Sequence, residues 1–312
     1  LKIIAPEGFV YDCQFVPIGW GPRDYYNSPV NLGAHYNISR LLARAAIYFR
    51  TRGDNAYADR LVAAAEQVFE FAATAPIFDA PYLPPVKTLP PGTQGAGFYF
   101  QTCRNSTVDF AGRCAAALDL YLATGQAAYR QSALKAGRNL AGLQITDGPL
   151  TGAFRVDALS SDLGFADCSY GYTTSGPMVF LDLLETFPDR PDSELWRETI
   201  KRYAGLLLEL HETVGFQYQP RLQRIAADKS DIHPIWRPEA GEDVRLQTSQ
   251  YAILILNDAL LLLRTEKLLG GFDGRIRQTA QRGVDYIFGA NPQGASYVNG
   301  IGYGQLPLPV YG

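Results

Sequence analysis

One structural unit is written into this chain more than once, and that repeat limits what the chain can fold into. Arg52-Gly53-Asp54-Asn55-Ala56-Tyr57 leads into an alanine-rich stretch ending near Phe71, and Thr124-Gly125-Gln126-Ala127-Ala128-Tyr129 leads into a second ending near Leu143. An amphipathic run precedes each, Ile38 to Phe49 and Val108 to Leu122, with apolar residues returning at helical rather than strand spacing. Helix, glycine-polar turn, helix is an αα-hairpin. Two looser copies follow. Thr173 to Phe187, the turn Pro188 to Asp192, and Ser193 to His211 make the third; Gln247 to Leu269, Gly270-Gly271, and Phe272 to Phe288 make the fourth. The pattern predicts an all-α chain of eight helices with no sizeable sheet. Asp192 or Ser193 stands where an N-cap belongs.

Between hairpins the chain changes character. Ala75 to Asn105, Thr146 to Tyr170, Phe216 to Arg245 and the stretch from Asn291 onward are rich in Pro, Gly and aromatics, and they lack helical periodicity. Loops of that length in compact domains commonly carry function. They alternate with tight turns, so the long loops gather at one end of the hairpins and the short turns at the other. An α/α toroid with a cleft on one face has this asymmetry, and so has a solenoid that binds protein partners.

Composition removes several classes of function. Of the 312 residues 47% are hydrophobic, and the net charge of −3 comes with no basic run, which argues against a nucleic-acid surface. The longest apolar stretch, Tyr251 to Leu263, is broken by Asn257 and Asp258 and is too short to span a bilayer. His35, His211 and His233 form no metal-binding pattern, which argues against a zinc centre or a nucleophilic triad. Cys13, Cys103, Cys114 and Cys168 form no CxxC pair and read as small core residues, with one disulfide possible. No phosphate-binding or dinucleotide fingerprint occurs. No cofactor and no metal are expected from the residues themselves.

The sharpest motif is Asp285-Tyr286-Ile287-Phe288-Gly289-Ala290-Asn291-Pro292-Gln293-Gly294-Ala295-Ser296-Tyr297-Val298-Asn299-Gly300-Ile301-Gly302. A helix ends at Gly289, where φ > 0 is easily reached; Asn291-Pro292 then turns the chain, and the loop either presents Tyr297 or merely closes the helix end. This segment resembles the Asp-Tyr…Gly-x-Asn-Pro…Ser-Tyr-Val…Gly segment of family 9 glycoside hydrolases, the endoglucanase and cellulase-like group. The hairpins fit the same family's (α/α)₆ barrel, and the resemblance covers most of residues 30 to 305. It implies an (α/α) toroid of helical hairpins, about four of them recognisable, in a secreted or periplasmic protein. It further implies inverting hydrolysis of a β-linked glucan or related polysaccharide by a carboxylate pair. Calcium is implied by the resemblance alone.

Departures from the family pattern are as informative. The early Asp-Ala-Gly-Asp segment that supplies the family's catalytic base is absent, as are the later His-rich stretch and the carboxylate segment behind it. Residues 1–312 are therefore expected to form a single glycosidase-type domain that is incomplete at one or both ends, with a flanking segment or another chain as a possible partner. Neither catalytic carboxylate can be assigned by resemblance, and the chain alone is expected to be catalytically incomplete.

Glycoside hydrolysis needs two carboxyl groups, roughly 6.5–9.5 Å apart for inversion. The long-loop face offers Asp24, Asp109, Asp157, Asp162, Asp167, Glu239, Glu242 and Asp243. Asp167 and Glu239 are the candidates singled out. Asp167 precedes a helix that it could equally cap; Glu239 follows Trp236-Arg237-Pro238, a trio that reads as a sugar site or as a structural stack and ion pair. Sugar rings bind flat aromatic faces flanked by planar donors. On that ground Trp20, Tyr25, Tyr26, Arg104, Trp236, Arg237 and Tyr297 are the expected substrate-binding residues, with an oligo- or polysaccharide as partner. The alternative is a non-catalytic helical toroid that binds carbohydrate or is purely structural.

Overall fold

Alanine and glycine let helices approach closely, and the first half of the chain is built on that. In the computed structural model the described residues are 32–74, 104–159, 163–164, 176–214, 219–224, 235–249 and 252–298. Their helices are α1 (Leu32–Thr51), α2 (Asn55–Thr74), α3 (Thr107–Thr124), α4 (Ala127–Ala141), α5 (Val179–Thr186), α6 (Ser193–Thr213), α7 (Ala252–Leu269) and α8 (Arg275–Ile287). They form the four hairpins expected. The chain divides into two units, one holding residues 1–143 and 156–160 and the other residues 144–155 and 161–312.

In the first unit α1 packs on α2 and α3, and α3 packs on α4. Ala43, Ala46, Ala58, Ala65, Ala72, Ala116 and Ala117 are buried along these contacts. Gly112 lies so close to Tyr36 that a Cβ there would stand 2.8 Å from the ring. Each turn is closed by a glycine in the left-handed region, Gly53 (φ 82°) and Gly125 (φ 72°), the second donating its N–H to the Tyr121 carbonyl at 2.7 Å. Asp54 caps α2 by accepting from Tyr57 N at 3.1 Å. Polar ties cross the interfaces: Ser39 Oγ donates to the Ala65 carbonyl at 2.8 Å. Arg40 and Arg44 both donate to Asp119 Oδ2, at 2.9 and 2.7 Å. Burial holds the Asp119 carboxyl above its ordinary pKa in spite of the two guanidiniums.

In the second unit α6 lies between α5 and α7, and α7 packs on α8. Trp196, expected in the core, is fully buried. Two small antiparallel pairs join the helices: β1 (Phe154–Arg155) with β2 (Leu163–Gly164), and β3 (Gln219–Arg224) with β4 (Val244–Ser249). The second pair corrects the sequence reading, which placed residues 216–245 in a loop and began the fourth hairpin at Gln247. Residues 247–249 belong to β4, and α7 starts at Ala252. The alternation of buried Val244 with buried Leu246, the latter opposite Leu222, carries period-two information over too few residues to stand out. α5 is also shorter than expected, with turns rather than helix at residues 176–178.

The proposed cap of α6 needs correcting as well. Asp192 already has helical angles (φ −74°, ψ −10°) and makes no capping bond, whereas a capping side chain needs the extended region. Ser193 Oγ instead accepts from Arg197 Nη1 at 3.3 Å.

Two glycines give the packing a direct test. A Cβ on Gly152 (φ 97°) would lie 2.4 Å from the Arg202 carbonyl oxygen, so neither position accepts alanine freely. Gly112→Ala is expected to cost about 1–3 kcal/mol through overpacking. Gly152→Ala should cost more, because about 1–3 kcal/mol of backbone strain adds to the clash. Urea unfolding of both variants measures this; Gly152→Ala as stable as the parent chain would refute the close approach.

Candidate functional site

A strand pair placed between helices needs fastening, and here buried charge supplies it. Asp258 interrupts the apolar run of α7 and is 4% exposed. Its carboxylate accepts two bonds from Arg221 of β3, Nη1 to Oδ2 at 2.9 Å and Nη2 to Oδ1 at 2.7 Å. His211, in the last turn of α6, meets Oδ2 through Nε2 at 3.3 Å. Burial alone would raise the Asp258 pKa. The Arg221 charge, helped by hydrogen bonds from His211 and Arg221, outweighs that and brings it down to about 2. One carboxylate thus joins β3, α6 and α7.

Between β3 and β4 the chain builds a ledge. Ile235 bridges to Arg245 of β4, and Trp236 N donates to the Val244 carbonyl at 3.0 Å. Pro238–Ala240 then forms one 3₁₀ turn, ended by Gly241 at φ 119°. Arg224 brackets Asp243, donating to both carboxylate oxygens at 2.8 Å, and these bonds lower the Asp243 pKa. The Trp236 indole packs against the cluster that includes Leu206, Leu210, Leu222 and Leu246. The Arg237 guanidinium lies over the Trp236 ring, 4.9 Å from its centroid, and its Nη2 donates to Glu209 Oε2 of α6 at 2.8 Å. Glu239 is exposed on the same turn.

The loop after α8 is organised by a single side chain. Gly289 takes φ 123°. Asn291 Nδ2 donates to the carbonyls of Tyr286 and Ala295 at 2.8 and 2.7 Å, while its Oδ1 accepts from Gln293 N at 3.1 Å. Tyr297 N donates to the Ile287 carbonyl at 2.9 Å, its ring tilts on Tyr286 at 5.9 Å, and its hydroxyl donates to Gln293 at 2.7 Å. Asn291 therefore closes the helix end, and Tyr297 joins the Ile255, Tyr286 and Ile287 cluster.

In the first unit Ser106 Oγ accepts from Asp109 N at 3.2 Å, and Asp109 Oδ2 accepts from Asn105 N at 2.8 Å. Asp109 Oδ1 takes the Tyr36 hydroxyl at 3.2 Å and Arg113 Nη2 at 3.3 Å. Burial, with the Asp109 charge, drives the Tyr36 hydroxyl pKa up. Arg104 donates to the Ala72 carbonyl at 2.9 Å.

Of the residues expected to bind substrate, Trp236 and Arg237 come together with Glu239, while Tyr297 sits in a different cluster of the same unit and Arg104 in the other unit. Trp20, Tyr25, Tyr26 and Asp167 lie outside the described residues. Cys114 is buried in α3; the other three cysteines lie outside the described residues. The grouping of His211, Arg221 and Asp258, and the reach of Glu209 to Arg237, escaped the sequence reading. The one signal was Asn257-Asp258 breaking an apolar helix, because partners 37 and 47 residues away carry no local pattern. Among the described residues no three His, Cys, Asp or Glu side chains gather as a metal site, so no calcium ligands are named. No described helix is long and apolar enough to cross a membrane.

The sequence model described as "Glycosyl hydrolase family 9" matches residues 21–308. No curated protein matches. Among solved structures, a metagenome-derived glycoside hydrolase family 9 endoglucanase is similar at 20% identity and TM-score 0.54, over 97% of this chain and 46% of its own. The cellulase Cel9M of C. cellulolyticum is similar at 16% identity and TM-score 0.51, over 92% of this chain and 52% of its own. The chain spans about half the length of these structures. They share its helical-hairpin fold.

Removing the Asp258 charge tests the fastening. Asp258→Asn is expected to cost about 3–5 kcal/mol, since it removes the buried counter-charge of the half-buried Arg221 guanidinium. The folded pKa lies below the unfolded value of about 3.9, so this stabilisation is fully present above that value. It is lost as pH falls from near 4 through about 2. Urea unfolding across that window should show a loss in the parent chain that Asp258→Asn lacks. Parallel pH profiles for the two proteins would refute the assignment.

Proposed function

The chain belongs to glycosyl hydrolase family 9, and from that membership we propose that it acts on a β-linked glucan or a related polysaccharide, outside the cytoplasm, by inverting hydrolysis. The family match over residues 21–308 is the observation that carries this reading. The ledge of Trp236, Arg237 and Glu239 supports it chemically. An indole face offers a sugar ring a stacking surface, and a guanidinium offers its hydroxyls planar donors. We propose Trp20, Tyr25, Tyr26, Arg104 and Tyr297 as further saccharide contacts.

Inversion needs a general acid and a general base on opposite sides of the scissile bond. The buried carboxylates of the described residues are already engaged. Asp258 is held by Arg221, Asp119 by Arg40 and Arg44, Asp109 by Arg113 and Asp182 by Arg264. Glu239 is exposed on a single turn, whereas a general acid is commonly enclosed by apolar residues. Asp167 remains the other candidate. This engagement of the buried acids favours a second reading, a hairpin domain that holds polysaccharide without cleaving it.

Hydrolysis of a panel of soluble β-glucans, followed by reducing ends and by the anomer first released, separates the two. Trp236→Ala should raise KM about tenfold with kcat held, the worth of one aromatic stack. Glu239→Gln should lower kcat less than about tenfold; a loss of about 10²–10⁴-fold would assign it as acid or base. Binding without turnover establishes the second reading, and neither binding nor turnover on any β-glucan removes both.

A further inference from the structure

The ledge has a feature that its role in sugar stacking does not require. Trp236 is packed from below by an apolar cluster and carries a cation over its ring. That cation is anchored: Arg237 Nη2 meets Glu209 Oε2 at 2.8 Å, on a helix 28 residues earlier in the chain. Both partners are partly exposed, Arg237 at 38% and Glu209 at 46%. The backbone beneath the tryptophan is fixed by the Val244 carbonyl, and the strands by Asp258. Trp236 Nε1 is buried and has no hydrogen-bond partner among the described residues. The apolar packing and the fixed backbone hold the indole in one orientation, whereas among the described residues the arginine side chain is held by an exposed ion pair and a stack.

We propose that Arg237 and Glu209 form a latch over Trp236: the guanidinium occupies the ring face that a saccharide would use, and saccharide binding requires it to exchange Glu209 for the sugar's hydroxyls. This rests on the carbohydrate reading above. An exposed ion pair and an exposed cation–π contact are each weak. The latch is accordingly shallow, lowering affinity without abolishing it. Because both partners lie near the surface, salt screens their attraction. The device makes Glu209, a residue with no saccharide contact of its own, an antagonist of binding.

Two measurements on the full chain test this. Acrylamide quenching of tryptophan fluorescence without ligand reads whether the ring is covered. Glu209→Gln should raise quenching, and the rise should vanish in the Trp236→Phe background. Titration with a soluble β-1,4-glucan oligosaccharide reads the consequence. Glu209→Gln should bind about two- to fivefold more tightly than the parent chain, the range given by loss of one exposed ion pair. Added salt should tighten binding by the parent chain and not by Glu209→Gln. Unchanged quenching in Glu209→Gln, or equal or weaker saccharide binding by it, overturns the latch. Raised quenching with no saccharide bound by either protein leaves the cover in place and sinks the carbohydrate reading.

Discussion

A helix satisfies its own backbone, but the segments between these hairpins do not, and the structure depends on how their exposed N–H and C=O groups are met. The answer is a small set of polar side chains, each serving several backbone or charged partners. Asn291 makes bonds to Tyr286 of α8 and to Gln293 and Ala295 of its own loop. Buried Gln144 donates to the Gly152 and Thr199 carbonyls at 3.2 and 2.8 Å and accepts from Arg202 at 3.3 Å. Ser106 and Asp109 close the start of α3 reciprocally, in the manner of a capping box shifted by one residue. Asp258 does the same for the β3–β4 pair with charge in place of neutral bonds. Each replaces the water that would otherwise be needed in a buried place.

This division explains what could be read in the sequence. The turns of the first unit's hairpins were legible because Gly53 and Gly125 punctuate long periodic stretches, although α1 begins at Leu32, well before the expected Ile38. The end of α8 was legible because Gly289 and Asn291-Pro292 form a local signal. The β3–β4 pair was not legible. Among the described side chains the apolar Pro220 and Leu222 are buried in alternation on β3 and Val244 and Leu246 on β4, and their partnership spans more than twenty residues. The Arg221–Asp258–His211 group was illegible for the same reason. Asp258 could be seen as an anomaly in an apolar helix, but nothing nearby named its partners. The placement of a cap at Asp192 failed because the turn before α6 enters helical angles one residue early.

The ledge combines both kinds of information. Trp236 and Arg237 are adjacent in sequence, so their stacking was an available reading, whereas Glu209 reaches them only through the fold. A sequence-local pair tends to be seen as a site and a long-range partner to be missed, which hides any restraint the partner imposes. Here the restraint changes the meaning of the pair, because an arginine committed to a carboxylate and an indole is not an idle donor waiting for sugar.

The carboxylates carry the same lesson for catalysis. A general acid needs a raised pKa and access to the substrate together. Asp119 has its pKa raised by burial, yet two guanidiniums share one of its oxygens and only 4% of its side chain is exposed. Asp258 is equally buried and is pushed the other way, to about 2. Glu239 has the access and lacks the enclosure. Of these three carboxylates, the two buried ones are held by guanidiniums and the third stands open to water. That separation suits acids that hold a scaffold together.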